Sequence, residues 1–101
     1  MKVVDLTTEL PGEKPVQFEP VEENGECKLT KILMKSGAVL TKHTAPVPAS
    51  VLVISGTGTM EVAGEKVNLK PGIMVSFEAM TPHEARAESE LTLLVFKYPA
   101  S

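Results

Sequence analysis

Turn-forming residues recur along the whole chain and divide it into short apolar segments. The 101 residues include eight prolines and seven glycines, spread along the length rather than gathered in one linker. Both residues disfavour helix interiors, and short apolar runs bounded by such turns are typical of an all-β domain. We predict turns at PGEKP (11–15), ENGE (23–26), SG (36–37), PVP (46–48), SGTG (55–58), AGE (63–65), KPG (70–72) and TP (81–82).

The segments between these turns predict strands of a sandwich or a barrel. Some strands are apolar at consecutive positions, as in Val51–Ile54 and Leu93–Phe96, so both of their faces need cover from a second sheet or a second subunit. The clearest hairpin is MEVAGEKVNL, in which Gly64 is expected to take a positive φ. The predicted strands are VQFEPV, CKLTKILM, SVLVI, TMEV, KVNL, IMVSF and LTLLVFKY.

Charge and composition exclude several classes of protein. The net charge of −3 provides no basic surface for nucleic acid or an anionic membrane. Apolar runs are far shorter than the ~20 residues that span a bilayer, and Asp5 interrupts the start where a signal peptide would be apolar. The single cysteine, Cys27, allows no intrachain disulfide. We therefore expect a soluble cytoplasmic protein with neither nucleic acid nor membrane as a partner.

Each of the two histidines lies in a segment with distinctive glycine spacing. Five residues separate Gly37 from His43, and six residues separate Ala49 from Gly56. Further along, five residues separate Gly72 from Glu78, and His83 follows directly after a proline. In this order and spacing, the two segments resemble the two signature elements of the cupin superfamily.

The resemblance covers roughly residues 28–98 and implies a cupin-type double-stranded β-helix, an all-β jelly-roll barrel with little or no helix. We accordingly predict one domain over residues 1–101, with residues 1–27 as an N-terminal strand or arm and 28–98 as the barrel. Strand alternation then places Ala85 and Ala87 beside His83 on the inner face, and Glu84 and Arg86 on the outer face.

The sequence departs from the metal-binding pattern of cupins, in which two histidines of the first element, a glutamate and the histidine of the second element are the usual ligands. His43 and His83 are present, whereas Ala45 and Ala49 replace the other histidine and the glutamate. Two imidazoles are too few for tight iron or manganese binding. We expect no tightly bound cofactor, and at most weak zinc, nickel or copper at the two histidines, with Glu78 as the best third ligand.

Three interpretations of this pocket remain open. The first is small-molecule binding with His43 and His83 as polar anchors and no full metal site. The second is a metal-dependent cupin enzyme of the dioxygenase or isomerase type, with an atypical two-histidine site completed by Glu78, water or substrate. The third is an assembly module with packed histidines and no ligand. No catalytic residue can be assigned, and the predicted ligand-binding residues are His43, His83, Ala45, Ala49, Met80, Phe77 and Met34.

Two further expectations concern packing and assembly. Met60 and Met74 are expected in the ordinary core. The segment KPVQFEPV carries Val16 and Phe18, which would make an unpaired apolar edge an aggregation hazard. We expect the segment to pair with a second subunit or to cover a sheet face. The cupin resemblance implies pairing, so we predict a homodimer.

Overall fold

The strands account for the whole regular structure of the described chain. The computed structural model describes residues 1–9 and 12–98, so Pro11 of the predicted turn at 11–15 and residues 99–101 of the predicted domain lie outside the described residues. Within these ranges there is no helix, and hence none that could cross a membrane. The strands are β1 (Val16–Glu23), β2 (Lys28–Met34), β3 (Val39–His43), β4 (Ala49–Ser55), β5 (Gly58–Val62), β6 (Glu65–Leu69), β7 (Met74–Phe77), β8 (His83–Ala87) and β9 (Leu91–Lys97).

These strands form two antiparallel sheets that face each other. The larger sheet has five strands in the order β1-β2-β9-β4-β7, and the smaller has four in the order β3-β8-β5-β6. Strands adjacent in sequence are often placed in different sheets, as β2 and β3 are, so the chain repeatedly crosses between the two layers. This arrangement confirms the predicted all-β jelly roll.

The hairpin between β5 and β6 has the tightest turn of the fold. Val62 pairs with Glu65, which leaves Ala63 and Gly64 as the two loop residues. Both have positive φ, 51° for Ala63 and 84° for Gly64, as a type I′ turn requires. The expectation of a positive φ at Gly64 is confirmed.

The core lies between the sheets and follows the alternation of the central strands. On β9 the residues Leu91, Leu93 and Val95 are buried and belong to the main hydrophobic cluster, together with Val51 and Val53 of β4. At the end of β4 the chain passes close to the residues before β9. A Cβ on Gly56 would lie 1.9 Å from the carbonyl oxygen of Glu90, so only glycine fits there.

The outer face of the larger sheet is partly covered by the N-terminal segment, residues 1–9. The Lys31 side chain is only 2% exposed, and its ammonium group donates a hydrogen bond to the Thr8 carbonyl oxygen. Lys2 forms an ion pair with Glu22 at 3.5 Å. The segment therefore lies against strands β1 and β2.

One core expectation is wrong. Met74 is 59% exposed, because it lies at the start of the edge strand β7 and alternates with Val75, which packs against the core. Met60, by contrast, is buried as expected.

Candidate functional site

The two histidines face each other across one pair of strands. His43 on β3 is the register partner of His83 on β8. The register between these strands shifts after Leu40, which pairs with Ala85. From that pair to the histidine pair, β3 advances by three residues and β8 by two. This β-bulge allows Leu40 and His43 both to line the cavity, which simple alternation along β3 would forbid, although the His43 side chain itself is exposed.

Ring contacts fix the relative positions of the imidazoles. The centroids of His43 and His83 are 4.1 Å apart, with an angle of 64° between the ring planes. The Phe77 ring also contacts His83, at a centroid distance of 4.4 Å and an angle of 34°. His83 therefore packs against two other rings.

Main-chain hydrogen bonds set the same tautomer in both rings. The Nδ1–H of His43 donates to the Thr41 carbonyl oxygen, and that of His83 donates to the Thr81 carbonyl oxygen, each at 2.8 Å. A carbonyl oxygen can only accept, so in each neutral ring Nδ1 carries the proton and Nε2 carries a lone pair. Both Nε2 atoms are thus free to accept a hydrogen bond or to coordinate.

Burial keeps His83 neutral. The side chain is 6% exposed, and burial is the main cause that lowers the pKa of His83 below its ordinary value of 6.5. The hydrogen bond to Thr81 opposes this shift, and the nearby positive charges of His43 and Lys97 add to it. In the described chain no fully enclosed side-chain nitrogen or oxygen lacks a partner, so Nε2 of His83, which has no protein partner there, opens into the cavity.

The imidazoles lie on the wall of a cavity between the two sheets. Its volume is about 380 Å³, which falls in the range of about 300–1,000 Å³ typical of small-molecule sites. The wall is mainly apolar, and it contains no carboxylate among the described residues. The lining consists of Phe18, Ile32, Leu40, Thr41, His43, Ala45, Ala49, Val51, Met60, Phe77, His83, Ala85, Leu93, Val95 and Lys97.

The structure places two of the predicted ligand-binding residues away from the cavity wall. Met34 is fully buried in the core at the other end of β2, where it pairs with Leu91. Met80 is 61% exposed, in the loop before β8. The remaining predicted residues line the cavity, namely His43, His83, Ala45, Ala49 and Phe77.

Several lining residues were not predicted, and alternation along β9 was the signal that could have found some of them. Leu93, Val95 and Lys97 occupy every second position of this strand and all line the cavity. Met60 was expected only as core but is also part of the wall. Phe18 reaches the cavity from β1, since it pairs with Ile32 on the neighbouring strand.

The donor set does not fit a cupin metal centre. In the described ranges no group of three or more His, Cys, Asp or Glu residues could hold a metal ion. Ala45 and Ala49 present methyl groups to the cavity. Glu78 is exposed and outside the wall, and Glu84 alternates with the inward-facing His83. Only two imidazole nitrogens are available, where a divalent first-row metal is normally held by three or four ligands.

The family profile for the cupin domain matches residues 31–97. The chain therefore belongs to the cupin family, in agreement with its jelly-roll fold and the position of His43 and His83. No functionally curated protein is significantly similar in sequence.

Solved structures share this fold. An RmlC-like cupin from Desulfovibrio desulfuricans superposes with a TM-score of 0.88 at 23% identity, covering 98% of this chain and 97% of that one. The SPY1581 protein of unknown function from Streptococcus pyogenes gives 0.84 at 22% identity over 99% and 89%. KdgF from Halomonas sp. gives 0.77 at 24% identity over 91% and 86%. At such identities the likeness concerns the fold alone.

Proposed function

We propose that this protein binds a small, largely apolar molecule in the cavity between its sheets. The observation that carries the proposal is the cavity itself: about 380 Å³, walled mainly by aliphatic and aromatic side chains. Sites of this kind combine an apolar wall with a few well-placed polar groups. The cavity lies inside the barrel, a region that side chains fill in small barrels without a ligand site.

The two imidazoles are the proposed polar anchors. Because Nδ1 of each ring is engaged by a main-chain carbonyl, each Nε2 can accept a hydrogen bond from an O–H or N–H group of the ligand. The lowered pKa of His83 keeps this acceptor available at neutral pH. A ligand with one donor group and a flat or aliphatic body matches this wall.

A metal-dependent enzyme is the alternative that the cupin family suggests. The solved structures with this fold include salicylate 1,2-dioxygenase from Pseudoaminobacter salicylatoxidans. The match covers only 25% of the dioxygenase chain. The two-imidazole donor set of the present chain argues against that activity here. The same donor set supports a binding protein with no tightly held cofactor.

A fluorescent neutral diarylamine, N-phenyl-1-naphthylamine, tests the proposal. It has an apolar body and one N–H donor, and the chain has no tryptophan to interfere. We expect saturable binding with one site per chain. The substitution Ala49→Met should fill the cavity and weaken binding at least tenfold, because Ala49 lines the wall. Ala79→Met, a matched change at an exposed loop position, should leave binding unchanged.

A substitution of His83 tests the role of the polar anchors. His83→Phe keeps a ring beside Phe77 but removes Nε2, so it should weaken the diarylamine severalfold. Elemental analysis of protein purified without added metal completes the test. Absence of saturable binding would overturn the proposal, and one tightly held metal per chain would establish the metal-dependent alternative instead.

A further inference from the structure

Lys97 brings a positive charge into the cavity wall. It is the last residue of β9 and continues the inward series of Leu93 and Val95, both of which also line the cavity. Its register partner on β4 is Ala49, which offers only a methyl group. The lysine is half-buried, and its charge is close enough to His83 to lower the pKa of that imidazole.

No carboxylate in the described chain lies within ion-pair distance of this lysine, although Glu23 lines a neighbouring surface pocket together with it. The cavity wall contains no aspartate or glutamate. Within residues 1–9 and 12–98, Lys97 makes no ion pair and no side-chain hydrogen bond. An anionic group in the cavity would give this half-buried cation the charged partner that the described residues do not supply. The cavity wall therefore carries one positive charge and no negative charge, which favours an anionic ligand.

The other groups at the wall agree with an anionic ligand. Besides Lys97, the polar members are Thr41, His43 and His83, and none of them carries a negative charge. A metal cation gains no carboxylate here, whereas an organic anion meets no electrostatic repulsion. The apolar remainder of the wall suits a hydrocarbon body rather than a small inorganic ion.

We infer that the ligand is a small organic monoanion, a carboxylate or a similar acid, whose charged group meets the Lys97 ammonium while its apolar body fills the cavity. This inference rests on the proposed binding function and specifies its ligand class. It also gives Lys97, rather than either imidazole, the role of charge recognition. The histidines then serve a separate donor group of the same molecule.

A matched pair of probes separates charge from shape. 1-Anilinonaphthalene-8-sulfonate has the same ring body and N–H group as N-phenyl-1-naphthylamine, with an added sulfonate. We expect the native protein to bind the sulfonate probe more tightly than the neutral one. Lys97→Met should weaken the sulfonate probe about tenfold more than it weakens the neutral probe, a difference of about 1.4 kcal/mol. Lys97→Arg should retain most of the preference.

Lys42→Met is the matched control, since this lysine neighbours His43 in sequence but is exposed and outside the cavity wall. It should alter neither affinity. The native protein supplies an independent readout, because added potassium chloride should weaken the sulfonate probe and not the neutral one. This second readout holds even if Lys97→Met fails to fold.

The outcomes distinguish the two proposals. If both probes bind the native protein equally, or if Lys97→Met weakens both alike, the anion inference is overturned while the binding function stands. If neither probe binds saturably, the binding function fails and the inference fails with it. Loss of sulfonate binding in Lys42→Met as well as Lys97→Met would show a surface charge effect and would also overturn the inference.

Discussion

His83 combines burial with a main-chain hydrogen bond, and the two act on its charge in opposite directions. Burial has the larger effect and lowers the pKa below 6.5. The unfolded chain, in which the imidazole is hydrated, titrates near the ordinary value of about 6.5. Between the lowered pKa of the native state and this value, the unfolded state binds the proton and the native state does not.

The first prediction follows from this difference. Stability rises with pH where the unfolded state holds more protons. The contribution of neutral His83 is therefore complete above about pH 6.5 and is lost as the pH falls toward the lowered native pKa. Urea unfolding between pH 8 and pH 5 should show that the free energy of unfolding falls more steeply for the unsubstituted protein than for His83→Gln. Parallel profiles for the two proteins would contradict the assignment, since all carboxylates are common to both.

Two alanines permit a second prediction at the same scale. Ala45 and Ala49 are buried and line the cavity near the imidazoles. Introducing Ala45→His together with Ala49→Glu supplies the ligand types that metal-binding cupins have at these positions, so the variant should bind one nickel or zinc ion per chain. Titration against a chelator measures the affinity. Each single variant is the control, and equal affinity of the native protein would contradict the prediction.

The strands show which parts of the fold a sequence pattern can reveal. Apolar runs predicted β4 and β9, because both of their faces are partly buried. No such run marks β3 or β8, whose outward residues, such as Lys42 and Arg86, are exposed. Neither strand was among the seven predicted segments, and the cupin resemblance only implied strand alternation around His83. The bulge in β3 has no sequence signal, since it concerns pairing with a partner 40 residues away along the chain.

Site residues could be predicted only where a local sequence segment itself indicated them. The histidines were assigned to the site because they occupy ligand positions of the cupin-like segments, and Ala45 and Ala49 because they replace the other ligands of that pattern. Phe18 and Lys97 come from opposite ends of the sequence. They reach one cavity because β1, β2 and β9 are neighbours in the larger sheet, an order that periodicity does not encode. Met80 was assigned to the pocket because its loop precedes His83, but the side chain is exposed.

The backbone of that loop gives a third prediction. Met80 has a φ of 65°, in the left-handed region that disfavours side chains with a Cβ. Its N–H donates to the Ala45 carbonyl oxygen at 2.7 Å, which ties the loop to the chain after β3. Met80→Gly should stabilise the protein by about 0.5–1 kcal/mol, because the strain disappears and little burial is lost.

Met74 provides the matched control for this change. It is equally exposed but belongs to a strand, β7, and does not have a positive φ. Met74→Gly should therefore destabilise the protein, since glycine adds conformational entropy to the unfolded chain and relieves no strain at this position. Chemical unfolding of both variants gives the comparison, and destabilisation by Met80→Gly would contradict the strain assignment.

At the scale of the molecule, the edge of the larger sheet is the place where we expect two chains to meet. β1 has only β2 as a neighbour among the described strands, and Phe18 on β1 is 58% exposed. An edge with exposed apolar residues favours pairing with another chain. Sedimentation at micromolar concentration should show a dimer for the native protein and a monomer for Phe18→Glu.

The opposite edge supplies the control for assembly. Met74 on β7 is as exposed as Phe18, so Met74→Glu introduces the same charge at the other end of the sheet. This variant should remain dimeric. A monomeric native protein would remove the prediction, and dissociation by Met74→Glu alone would move the interface to β7.

The carbonyl tethers of the two imidazoles have a consequence for how such a protein changes over generations. Each ring is held by the main chain two residues earlier, so substitutions at those positions do not remove the acceptor oxygen. Substitution of the neighbouring side chains therefore leaves in place the main-chain hydrogen bonds that orient the two rings. The two histidines thus keep their orientation while a few substitutions elsewhere in the wall change which ligand groups the cavity offers.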